Sequence, residues 1–296
     1  MANSLDPTTV FTRLMDAVYQ IASLTARMDA QTAPAPEFNG TAIVKVMKLS
    51  TVGLGNYNRT TGYPAGDAIA VWEALTLLQD RARSFSVDRA SNEEQFGMLV
   101  GGLVNALMNE QVAPELDAYR FAKYAGWVGI QAATPATLAK ASVLDALDAS
   151  KKALNAKKVP ASGRLLYVSD EVMAYLEGSV TRVLTTENGV DRRVTSFDGM
   201  PVIMVPQDRF YTKIDLNAGA DPATGGYIKN AAAGKDINFM MMHPSAVLQA
   251  KKLDITKYFS PDVNQITDGH LWQYRLYHDA FVFDNKKEGV YLHNKA

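Results

Sequence analysis

SNEEQFGMLVGGLVNALMNEQVAPELDAYRFAKYA, residues 91–125, reads as one long helix around which the remaining chain is organised. Ser91 suits an N-cap and Glu94 follows three residues later, the S-x-x-E arrangement that satisfies two backbone donors at a helix start. Phe96, Leu99, Val100, Leu103, Val104, Leu107 and Met108 then recur at helical spacing and mark one buried face. Pro114 lacks an N–H, so the helix is expected to kink or restart there before Leu116, Tyr119 and Phe121 carry the stripe onward. At about 1.5 Å per residue the element would span roughly 50 Å, longer than an ordinary domain needs. Gly97, Gly101 and Gly102 inside it each cost about 1 kcal/mol relative to Ala, which suggests close approach of another backbone.

The chain around this spine has 296 residues, enough for one large domain or two medium ones. Its 47% hydrophobic and 21% charged content is that of a globular chain. Cysteine is absent, which excludes disulfides, thiolate metal sites and cysteine nucleophiles. No apolar stretch approaches the roughly 20 residues of a membrane helix, and residues 1–30 carry no secretion-signal pattern. With 30 basic and 31 acidic residues the net charge is −1, which disfavours tight nucleic-acid binding but leaves loose contact open.

Two segments cannot stabilise themselves. Asp6-Pro7 starts a helix to about Ala30 in which Phe11, Leu14, Val18, Ile21 and Met28 share one side. The segment QTAPAPEF (31–38) breaks it, so this stripe has to dock elsewhere. Strands are expected over 41–50, 67–79 and 82–89, with VGLGNYNRTTGYPAGD (52–67) between the first two. A phosphate-binding loop needs a strand-to-helix setting and a GK[ST] ending; strands flank this one, which favours a projecting hairpin. Asp80, Arg81, Arg83, Asp88 and Arg89 cluster at its base and suit contacts between chains.

Further on, the pattern predicts a helix over Thr137 to Lys152, a strand at 164–169, and a helix from Asp170 to about Leu176. Strands follow at 198–206, 237–247, 271–283 and 289–294, with Leu216 to Lys235 a loop. His243, His270, His278 and His293 form no helical metal pair, and no G-x-S-x-G is present. No catalytic, cofactor-binding or metal-ligating set emerges, so the residues alone describe an α+β protein with two extensions that need partners.

Several longer runs resemble the major capsid proteins of tailed bacteriophages. They are WEALTLLQDRARSFSVDRASNEE (72–94), APELDAYRFAKYA (113–125), DGMPVIMVPQDRF (198–210), DINFMMMHPSAV (236–247) and FSPDVNQITDGHLWQYRLYHDAFVFDNKKEGVYLH (259–293). The resemblance implies the Hong Kong 97-type α+β fold. Its parts would be an N-terminal arm (1–38), an extended loop (39–90), a peripheral domain with the spine helix (91–160) and an axial domain (161–245), with 246–296 returning to the peripheral domain.

The same resemblance implies a structural protein, not an enzyme, that self-assembles into pentamers and hexamers of an icosahedral shell around double-stranded DNA held by loose contact. A portal protein is implied, and so is a separate scaffolding protein, because the sequence starts almost directly at the arm. The expected setting is the virion, with assembly in the host cytoplasm and no membrane. Phe11, Leu14, Val18, Ile21, Asp80, Arg81, Arg83, Asp88 and Arg89 are the expected subunit-interface residues. An encapsulin-like bacterial compartment, which shares the fold, is the alternative. Lys45 and Lys48 lie in the extended loop, but no motif supports the lysine–asparagine cross-link of some relatives.

Overall fold

The computed structural model describes residues 23–29, 43–90, 106–179, 183–186, 189–191, 194–219 and 224–296. Phe11, Leu14, Val18 and Ile21, with Gly97, Gly101 and Gly102, lie outside them. Ala26–Asp29 is a single helical turn, followed by strands β1 (Ile43–Thr51), β2 (Ala68–Thr76) and β3 (Gln79–Asp88). The spine appears next as α1 (Ala113–Ala125), preceded by a π-helical stretch, Leu107–Val112. Then come β4 (Gln131–Ala132), α2 (Val143–Ala156), β5 (Leu165–Ser169) and α3 (Asp170–Ser179). Short strands follow, β6 (Val183–Thr186), β7 (Gly189–Asp191) and β8 (Ser196–Phe197), before β9 (Met200–Val205). The chain closes with β10 (Ile214–Leu216), β11 (Tyr227–Lys229), β12 (Ile237–Met242), β13 (Val247–Phe259), β14 (Gly269–Val282) and β15 (Val290–Asn294).

A six-stranded mixed sheet, ordered β4-β15-β12-β5-β9-β8, forms the centre of the core. Its central strands are covered on both faces, so LLYVS and INFMMM are buried throughout and read as continuous apolar runs. Alternate side chains nevertheless serve opposite sides. Leu165, Tyr167, Met240, Met242, Val290 and Leu292 meet Phe121 and Tyr124 of the spine. Leu166, Val168, Phe239, Met241 and Tyr291 meet Leu147 and Leu154 of α2 and Val172 and Leu176 of α3. A second sheet, β13-β14-β3, is antiparallel and packs Tyr274 and Leu276 against Leu116 of the spine.

The spine changes register before Pro114. The Ala113 N–H donates to the Met108 carbonyl five residues back, and the α-helix restarts with Pro114 in its first turn, where no donor is needed.

Other expectations shift for physical reasons. The extended loop drawn over 39–90 contains two different things. Among the described residues β1 and β2 pair only with each other, whereas β3 pairs along its length with β14 and belongs to the body. In the tail, β13 and β14 pair with each other, and β15 joins the six-stranded sheet beside β12. The helix expected from Thr137 begins at Val143, after a turn in which the Ser142 amide donates to the Ala139 carbonyl, while the Ala133 and Ala136 amides bind the Leu292 and Asn294 carbonyls. Within 216–235, a short hairpin of β10 and β11 replaces part of the expected loop. β13 carries no clean alternation because a bulge between Lys251 and Leu253 breaks the two-residue period.

Candidate assembly surface

The β1–β2 hairpin has two faces fixed by its register. Val44 and Leu75 lie on one and are buried against Leu248, Ala250 and Phe281 of the β13–β14 pair. Opposite them, Met47 faces Trp72 and Leu49 faces Ala70. Met47, Leu49 and Trp72 are each more than half exposed, as are Ile69, Val71, Val52 and Leu54 toward the tip. A two-stranded hairpin is marginal in water, and an apolar row of this kind marks an interaction surface. At the tip, Tyr57 and Tyr63 meet edge to face with centroids 5.1 Å apart.

The hairpin's base is tied to the spine through one buried carboxylate. Asp279 accepts the Leu78 amide at 3.0 Å and the Tyr119 hydroxyl at 2.7 Å, with Lys123 Nζ at 3.6 Å. The Tyr277 hydroxyl donates to the Leu77 carbonyl at 3.1 Å. Burial, followed by the Asp279 charge, pushes the Tyr119 phenol well above its ordinary value.

The charge row at the start of β3 finds partners within the chain. Asp80 forms a double contact with Arg275 across the β3–β14 ladder, at 2.9 and 2.5 Å, which holds its carboxyl below the usual range. Arg81 clamps Glu115 of the spine with Nε 2.6 Å from Oε1, and donates to the Asn217 and Gly226 carbonyls. Arg83 donates to the Thr224 carbonyl at 3.1 Å. Asp88 accepts the Ala90 amide, and Arg89 reaches Asp262 and Asp268 at the far turn of the β13–β14 pair. Asp80, Arg81, Arg83 and Arg89 therefore link this segment to other parts of the same subunit.

The described part of the arm is anchored in the body. Asp117, fully buried on α1, accepts the Ser23 hydroxyl at 2.8 Å, the Leu24 amide at 2.8 Å, and both the amide and hydroxyl of Thr25 at 3.2 and 2.6 Å. Arg120 donates to the same Thr25 hydroxyl at 2.7 Å, and Arg209 lies 3.5 Å from Asp117. Met28 is fully buried in the core beside Phe121 and Phe210. Sequence reasoning missed this receptor. Its one signal was a charged pair, Asp117 and Arg120, at i, i+3 on a helix whose neighbouring positions are apolar.

The histidines serve separate places. His278 is buried beside Tyr119, with ring centroids 5.3 Å apart, and burial with Arg120, Lys251 and Arg81 nearby pushes it down to about 3. His293 meets Asn238 at 3.0 Å, His270 meets the Tyr258 hydroxyl at 2.6 Å, and His243 meets Ser245 at 2.8 Å. Among the described residues, no three His, Asp or Glu side chains are grouped to hold a metal ion.

No protein-family profile and no curated protein matches this sequence. In three dimensions the chain is similar to solved phage structures over nearly its whole length. A chain from Mycobacterium phage Che8 superposes with a TM-score of 0.65 at 15% identity, covering 99% of this chain and 98% of that one. One from the mature capsid of bacteriophage PhiM1 gives 0.67 at 13%, covering 98% and 92%. One from the capsid of an empty GTA particle gives 0.61 at 12%, covering 99% and 95%. The chain has the α+β fold of these chains, two of which come from capsids, in keeping with its sequence resemblance to tailed-phage major capsid proteins.

Proposed function

We propose that this chain is a capsid shell subunit that associates with copies of itself, and that its role is structural, not enzymatic. The observation that carries the reading is the β1–β2 hairpin, whose Met47, Leu49 and Trp72 are each more than half exposed and pack against no core cluster among the described residues. A neighbouring copy would cover that face, and the shared fold with phage capsid chains supports a shell as the product. In this reading pentamers and hexamers close into an icosahedral virion shell, assembled in the host cytoplasm with separate scaffolding and portal proteins. Double-stranded DNA would lie inside in loose contact, since net charge near zero gives little salt-dependent grip on phosphates. The hairpin face, the arm before Ser23 and the outward side of β3 are the proposed contact regions. Negative-stain images of the purified full-length protein test the reading: closed shells support it, and a monodisperse monomer overturns it. Particles holding a cargo protein and no DNA would instead indicate a compartment shell, which the phage and GTA matches do not favour.

A further inference from the structure

Lys48 sits on the body-facing side of the hairpin, in the same row as Val44 and Val46, with Val71 opposite it. Below it the hairpin is packed: Val44, Leu75 and Leu77 are buried, and Val46 lies against the same cluster with Phe283 and Trp127. Above it, the described residues show no side-chain hydrogen bond or ion pair from 49–72 to anything outside the hairpin. Lys48 therefore stands where the fixed part of the hairpin ends and the projecting part begins. Its ammonium makes an ion pair with Asp284, which opens the turn after β14, and lies 3.3 Å from Glu73 on the hairpin itself.

We propose that Lys48, bridging Glu73 and Asp284, is a positioning residue that sets the angle at which the hairpin leaves the subunit. The hydrogen bonds of Asp279 and Tyr277 fix the hairpin's base at Leu77–Leu78 and leave its tilt to contacts farther out. The apolar contacts beneath are non-directional, and a two-residue corner, Leu77–Leu78, separates β2 from β3. One charge-assisted contact high on the hairpin has more leverage over its tilt than the same contact at the base.

The groups concerned are partly open to solvent, so the strut biases the hairpin and does not lock it. A pair this accessible shifts a balance between two orientations by up to about fivefold and is screened by salt. The hairpin would thus be held near one angle in the free subunit, yet could yield when a neighbour is covered. That last step rests on the proposed shell function; the strut itself does not.

The absence of cysteine allows a clean test in the full-length, unassembled subunit. Spin labels at Thr60→Cys on the tip and Lys257→Cys on β13 report the hairpin's distance distribution by double electron–electron resonance. With Lys48 intact at low salt, one narrow distribution is expected. Lys48→Gln and Asp284→Asn should broaden it about twofold with an unchanged urea midpoint, while Lys48→Arg should keep it narrow. Added 0.5 M NaCl should broaden the parent but not Lys48→Gln. Equal widths in the parent and Lys48→Gln, or equal broadening by Arg and Gln, would overturn the proposal. A subunit that shows the strut but never forms shells would overturn the shell function alone.

Discussion

Asp279 accepts the backbone amide of Leu78 at 3.0 Å, from a position on β14 that also holds Tyr119 of the spine. Leu78 lies at the corner where the projecting hairpin gives way to β3, so one carboxylate couples hairpin, spine and sheet. Removing it strands a buried hydroxyl and a backbone donor together.

Asp279→Ala should therefore destabilise the subunit by about 2–4 kcal/mol, since each orphaned group costs about 1–3. Asp279→Asn, which keeps one acceptor, should cost less. Urea midpoints give the ranking, and amide exchange at Leu78 should quicken in both variants. Unchanged exchange there would mean that the corner is held by packing alone.

The arm anchor separates two truncations that look alike in sequence. Deleting residues 1–22 keeps Ser23–Met28 on their receptor and should leave stability nearly unchanged. Deleting 1–29 removes buried Met28 and leaves Asp117 without the hydroxyls and amides it accepts. That deletion should cost about 2–5 kcal/mol in urea melts, since a buried methionine is lost and a buried carboxylate loses its hydrogen-bond donors. Equal midpoints for the two would show that the receptor contributes nothing.

His278 makes the subunit acid-sensitive. Its folded value, about 3, lies below the ordinary 6.5, so between them the unfolded chain binds a proton that the folded one refuses. Stability is complete above about pH 6.5 and falls toward pH 3, by at most about 1.4 kcal/mol per pH unit. Burial lowers His243 and His293 too, which act in the same direction. In His278→Gln the slope of urea midpoint against pH over this window should flatten. A slope unaltered by the substitution would assign the acid sensitivity elsewhere.

What the sequence revealed depended on how local the signal was. The buried strands LLYVS and INFMMM, the projecting hairpin and the restart at Pro114 rest on composition, period or a missing N–H, and all are readable from neighbours in the chain. β13 was not, because its bulge at Lys251–Leu253 destroys the period and only β14 completes it. The extended course of the chain before α2 rests on Leu292 and Asn294, far away in sequence. The site divided the same way. That the hairpin needs a partner is readable locally, whereas the exposure of Met47 and Trp72 depends on the β1–β2 register and the Asp117 receptor joins residues 92–94 positions apart. The Asp80–Arg89 charges were legible as a cluster, but their partners Arg275, Glu115 and Asp262 within the chain come only from the fold.

Sedimentation velocity on the full-length chain and on Met47→Ser/Trp72→Ser, at matched concentration, tests the shell reading most directly. Both side chains are more than half exposed in the subunit, so the double variant should keep its unfolding free energy, read from urea melts, close to the parent's, each substitution changing it by no more than about 0.5 kcal/mol. The parent should sediment as large closed particles and the variant as small species. Particles of equal size and yield from both would contradict the claim that this hairpin face joins one subunit to the next.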